Sequence, residues 1–273
     1  MAEAPPMDAV TLRGADRFIV NTAAYMKGQS VERWLIDLNG RGFHHFELTA
    51  APGFLWPGDM DKAGSAHFRR FLAGHRLRIV ARALKSGTPA TRDLPIRLVE
   101  LAGDLGAAGA VVSPAAASPE NVAGRELTKD GLFAVLDRLV PIAEQAGTQL
   151  WIEAERVAGQ DHADALMQLL DDYGDPRIGV VFDVTPGLPP GLDWPAVLRR
   201  FAPRLKLVRL GEATAAGLEA LPALLAEIGY TDWPVLQLPN ANPDTALASH
   251  LARLLTLGFG CEPTPAATGQ AAR

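Results

Sequence analysis

The chain has 273 residues, of which 48% are hydrophobic and 21% charged, and it carries a formal net charge of −5. This is ordinary globular usage, so chain-wide disorder is excluded, and a lone cysteine, Cys261, excludes a disulfide scaffold. The acidic balance argues against nucleic acid or an acidic membrane as partner, and no run of about 18 uncharged apolar residues is present to span a bilayer. The opening residues, Met-Ala-Glu-Ala-Pro-Pro-Met-Asp, lack the basic-then-apolar order of a secretion signal, so a cytoplasmic location is expected.

Short β-rich runs alternate with helical patterns along the whole chain. Arg17–Asn21 reads as the first strand, and the helix after it shows Val31, Trp34, Leu35 and Leu38 on one face, with Ser30 as N-cap. Phe43–Leu48 is the second strand and Lys62–Ala73 its helix. Leu77–Leu84 and Pro95–Leu105 form the third pair, and Ala110–Ser113 and Gly131–Ala146 the fourth. The rhythm continues with strands at Gln149–Glu153, Ile178–Phe182, Leu205–Leu210 and Trp233–Leu238. Their helices fall at Asp161–Tyr173, Trp194–Phe201, Leu218–Ile228 and Thr245–Leu257.

At roughly 150 residues per domain the length would allow two domains, but one (β/α)8 barrel of about 250 residues fits equally well. Eight strand–helix units without a second composition zone favour a single α/β TIM barrel over residues 16–260. A doubly wound sheet would want a Gly-rich first turn, and Asn21-Thr-Ala-Ala-Tyr25 is not one. Residues 1–15 read as an N-terminal extension, and residues 261–273, small and proline-containing, as a flexible tail.

In such a barrel the chemistry belongs at the C-terminal ends of the strands. Period-two alternation places Glu47 there from strand two, Glu153 from strand five (with Glu155 next outward), Asp183 from strand six, Arg209 from strand seven and Gln237 from strand eight. Strand three adds Arg82 or Ala81, depending on register. A strand-end carboxylate can equally be a helix cap or an ion-pair partner, but the conjunction points to a mouth that binds something polar. Trp56 and Phe54, in the loop after strand two, are candidates to stack on a sugar-sized ligand. They could also anchor that loop or join two copies of the chain.

Four segments, Gly42-Phe-His-His-Phe-Glu-Leu48, Leu150-Trp-Ile-Glu153, Gly179-Val-Val-Phe-Asp183 and Leu205–Glu212, resemble the xylose isomerase-like TIM-barrel superfamily of sugar and sugar-phosphate isomerases and epimerases. The likeness covers about residues 16–258, in order. It implies a divalent metal held by a Glu on strand five, an acid on strand six, a His or amide on strand seven and a Glu on strand eight. Glu153 and Asp183 match the first two. Arg209 and Gln237 depart from the others, and Pro186 stands where the family's Asp-x-x-His motif has histidine.

An arginine has no lone pair for a metal and brings its own positive charge. We therefore expect no bound metal and no cofactor, with Arg209 bridging Glu153 and Asp183. The resemblance then implies an isomerase or epimerase acting on a small sugar-like molecule, with Glu153 and Asp183 as catalytic residues. Glu47, Arg209, Gln237 and Trp56 would bind substrate. The alternatives are a metal-free lyase or dehydratase on a related small polar substrate, and a barrel that has lost catalysis and keeps the charges as an internal network. A homo-oligomer is compatible with either.

Overall fold

A computed structural model describes residues 11–25, 30–52, 54–84, 93–113, 129–154, 160–184, 191–211, 218–238 and 243–259. Eight strands form a closed barrel in which every pairing is parallel and follows chain order, with β8 returning to β1. The strands are β1 (Ile19–Asn21), β2 (His45–Ala50), β3 (Arg78–Leu84), β4 (Gly109–Val112), β5 (Gln149–Glu153), β6 (Ile178–Val184), β7 (Leu205–Leu210) and β8 (Val235–Leu236). Among the described residues eight α-helices alternate with them: α1 (Val31–Gly40), α2 (Lys62–Gly74), α3 (Leu94–Asp104), α4 (Lys129–Ala146), α5 (Gln160–Tyr173), α6 (Trp194–Phe201), α7 (Leu221–Glu227) and α8 (Pro243–Thr256).

The expected elements are all present, and their ends move for local reasons. Gly14 takes the left-handed conformation and starts a 3-10 turn over Ala15–Arg17, so β1 begins only at Ile19. Strand β2 lies two residues beyond the expected Phe43–Leu48, because Phe43 closes the end of α1 by donating to Leu38 O. Strand β8 is reduced to two residues. Pro234 cannot donate to the ladder, although its carbonyl still accepts from Ile19 N at 3.0 Å. Ser30 caps α1 by accepting from Arg33 N, and Asp61 caps α2 by accepting from Gly64 N.

Two apolar layers follow from the strand period. Phe46, Leu48, Leu150, Ile152, Val180, Phe182, Val208 and Leu210 point out beneath the helices, whereas Ile19, Ala81, Ala83, Val111, Trp151, Val181, Leu207 and Val235 fill the barrel. The inner filling depends on two glycines. A Cβ on Gly109 would lie 2.2 Å from the Trp151 ring, and one on Gly179 would lie 2.9 Å from it, so the indole spreads across both neighbouring strands. Ala81 and Ala83 belong to the inner set, which settles the register of β3: Arg82 points outward, in line with Leu48 of β2 and Ala110 of β4.

No helix among the described residues is long and apolar enough to cross a membrane. The expected N-terminal extension lies largely outside the described residues, as do Glu155 and the whole tail from Cys261.

Candidate active site at the mouth of the barrel

The inward period that places Ile19, Trp151, Val181, Leu207 and Val235 carries the next inward residue of each strand to the C-terminal rim: Asn21, Glu153, Asp183, Arg209 and Gln237. Glu47 joins them from β2, level with Asn21 on one side and Ala81 on the other. Asp183 and Arg209 are direct cross-strand partners. Arg209 ties the group together. Its Nη2 donates to Glu47 Oε1 at 2.6 Å, and its Nε lies 3.0 and 3.1 Å from the two oxygens of that carboxylate. Its Nη1 donates to Glu153 Oε1 and, at 3.2 Å, to Asp183 Oδ1. One guanidinium therefore meets carboxylates from β2, β5 and β6.

The cluster grades from sealed to open. The Glu47 side chain is 0% exposed and Arg209 4%, while Glu153 shows 15% and Asp183 31%. Glu47 thus offers no surface to a ligand; both its oxygens are spent on holding Arg209 and on Asn21. Burial alone would lower the Arg209 pKa, but Glu47, Asp183 and Glu153 overcome it and hold the group well above its ordinary value. Burial pushes the Asp183 carboxyl up to about 6; Arg209 opposes the rise, and the Glu153 and Glu47 charges add to it. Three carboxylates share one cation, so Asp183 takes up a proton more readily than an ordinary carboxylate.

Asn21 is a member of this site that sequence reasoning missed. Its Nδ2 donates to Glu47 Oε2 at 2.5 Å, while its Oδ1 accepts from Thr49 Oγ1 at 3.1 Å and from Ala23 N at 2.8 Å. Those two donors fix the amide so that its NH2 faces the carboxylate. The signal was available: Asn21 ends the first strand on the inward phase, as Glu47 does on the second.

Other expected residues make no hydrogen bond with the cluster among the residues described. Gln237 extends the ladder by donating its backbone N–H to Leu210 O at 2.9 Å, but no hydrogen bond joins its side chain to the cluster among the described residues. Trp56 folds back on its own loop, with Cδ1 and Nε1 3.3 Å from where a Cβ on Gly58 would stand. Phe54 pairs with Ala51 in a two-bond antiparallel bridge. His162 is exposed on α5, and His45 lies at the opposite end of the barrel against the Trp233 ring, where burial, with Arg78 and His44, lowers its pKa to about 4.

The donor set of a divalent ion does not assemble here. Glu153 and Asp183 both bind the Arg209 guanidinium, which supplies charge and no lone pair. Among the described residues no group of three His, Cys, Asp or Glu side chains is arranged to hold a metal.

A family model for the xylose isomerase-like TIM barrel matches residues 37–257. The chain belongs to this family. Several solved structures superpose along most of its length. The 3-keto-D-glucoside 4-epimerase YcjR from E. coli is 15% identical, with 88% of this chain and 99% of that one covered and a TM-score of 0.65. L-ribulose 3-epimerase is 18% identical, with coverage of 89% and 94% and the same TM-score. The IOLI protein, solved with a zinc atom, is 16% identical, with coverage of 88% and 97% and a TM-score of 0.63. No curated protein matches the sequence.

Proposed function

We propose that this xylose isomerase-like barrel is a sugar isomerase or epimerase that moves a proton between carboxylates at its mouth without a bound metal. The observation that carries the reading is the position of the Arg209 guanidinium, in contact at once with Glu47, Glu153 and Asp183. It stands where the family recruits an ion. Its charge is permanent and cannot be lost to a chelator. The sugar epimerases among the structural neighbours support the substrate class.

In this reading one of the two accessible carboxylates, Glu153 or Asp183, removes the proton from the carbon beside a substrate carbonyl. The electron pair moves onto the carbonyl oxygen, giving an enediol or enediolate. The other carboxylate returns a proton to the opposite face of the same carbon in an epimerisation; in an isomerisation the proton goes to the neighbouring carbon, while the hydroxyl on the first carbon becomes the new carbonyl and gives its proton to the former carbonyl oxygen. Proton transfer needs one member of the pair as donor and one as acceptor, and the raised Asp183 pKa makes Asp183 a readier proton carrier than an ordinary carboxylate. Arg209 stabilises the developing negative charge from a fixed position, with Glu47 and Asn21 holding it there. Gln237 is the amide available for a substrate hydroxyl, and Trp56, in the loop after β2, is the aromatic side chain that would turn from its own loop to pack on the sugar. Solvent access to Glu153 and Asp183 favours this reading over a locked internal network.

The test is hydrogen exchange. A panel of ketoses and aldoses incubated with the protein in D2O should show deuterium entering beside the carbonyl, detected by NMR. Glu153→Gln and Asp183→Asn should each slow that exchange at least a hundredfold. Absence of exchange across the panel, or exchange untouched by both variants, would reject the proposal.

A further inference from the structure

A second arginine near the same end of the barrel has no role in the proposed chemistry. Arg82 sits on the outer side of β3 and is 0% exposed, the largest side chain so completely enclosed among the described residues. Its Nη2 donates to the carbonyl of Leu55, in the turn after β2. Its Nε and Nη1 have no hydrogen-bond partner, and no carboxylate pairs with it among the described residues. Leu55 holds a backbone φ of +50, a left-handed conformation that a branched residue rarely adopts. Among the described residues the acceptor for this cation is thus a single neutral carbonyl, offered from strained backbone. Burial lowers the Arg82 pKa to about 9, which still leaves it charged at neutral pH.

Proteins rarely enclose a charge without its counterpart, because the loss of hydration costs several kcal/mol. Water could occupy the open N–H groups but would leave the charge itself uncompensated. A small oxyanion would meet both needs, since its oxygens accept from the planar guanidinium while its charge balances the group. We infer that Arg82 anchors a binding site for an oxyanion, a phosphate or carboxylate group, enclosed between β3 and the turn at Leu55. The turn that carries this carbonyl is tied back by the two Ala51–Phe54 backbone bonds at 3.0 and 2.8 Å and by the Arg82–Leu55 bond. An entering anion would take over the Arg82 donors and free the Leu55 carbonyl. The site does not depend on the reading of the mouth.

The full chain, in phosphate-free buffer, is titrated calorimetrically with inorganic phosphate, with D-fructose 6-phosphate and with D-fructose. Phosphate should bind the wild type and raise its melting temperature. Arg82→Met should weaken that binding at least tenfold and abolish the thermal shift, and Arg82→Lys, which keeps the charge but loses the planar donors, should fall between. If the sugar phosphate binds more tightly than phosphate, and Glu153→Gln removes only the excess, the anion is part of the substrate. If the two bind alike, the site takes free phosphate as an effector. Either outcome supports the site. No phosphate binding at millimolar concentration, or equal binding by wild type and Arg82→Met, would overturn it while leaving the deuterium exchange at the mouth as a separate question.

Discussion

Arg82 on β3 and Arg209 on β7 are both hidden from solvent near the C-terminal end of the barrel, yet the surroundings of one are uncharged and those of the other anionic. Arg209 points inward and gathers three carboxylates; Arg82 points outward and finds one carbonyl. The same side chain is therefore held above its ordinary pKa in one place and lowered to about 9 in the other. Burial is common to both and cannot account for the difference. The period of two along each strand does: one residue of phase decides whether a guanidinium enters the polar mouth or the apolar layer under the helices.

Substitution by methionine, similar in length and uncharged, separates the two most sharply. Arg209→Met strips the shared cation from Glu47, Glu153 and Asp183 and leaves a fully buried carboxylate unpaired, so urea unfolding at neutral pH should show a loss of about 3–5 kcal/mol. Arg82→Met removes an uncompensated charge and should raise stability by roughly 1–4 kcal/mol. With its folded pKa depressed, Arg82 carries the full cost of its charge at any pH below about 9 and loses it as pH rises through that value. The gain on substitution should accordingly be flat from about pH 5 to 8 and shrink above 9. Equal effects of the two substitutions, in sign and size, would dissolve the contrast.

Asn21→Leu removes the amide donor to Glu47 while leaving Arg209 in place, and a loss of about 1–3 kcal/mol in the same unfolding experiment is expected. Asp183→Asn should have the smallest effect. The folded pKa of Asp183 is raised, so its contribution to stability is present below about pH 4 and is lost as pH rises through about 6. The variant should therefore gain on the wild type above pH 6, by of order 1 kcal/mol, and the advantage should vanish in acid.

Much of this was legible in the chain because a barrel repeats one short pattern. The ends of β5, α6 and β7 coincide with the apolar runs Gln149–Glu153, Trp194–Phe201 and Leu205–Leu210, each bounded by turn residues or a Pro-containing cap. The inward phases of Glu153 and Arg209 followed from the same runs, and that of Asp183 from the run Ile178–Phe182. Asn21 escaped because a polar residue ending a three-residue strand looks like a turn former, and its partner Glu47 lies 26 positions away. The side taken by Arg82 was ambiguous for a different reason. A register shift between Phe46 and Glu47 breaks the pairing of β2 with β3, and Ala81 and Ala83 satisfy either face by size. Strand phase is written locally, whereas the partner of a side chain depends on how the whole barrel closes.

Calorimetric titration with Mn2+ bears most directly on the claim that a fixed guanidinium stands in place of a metal. The wild type should show no stoichiometric site, and Arg209→His combined with Gln237→Glu should create one, because it restores the lone pairs the family uses. Tight one-to-one binding by the wild type, abolished by Glu153→Gln, would contradict the account.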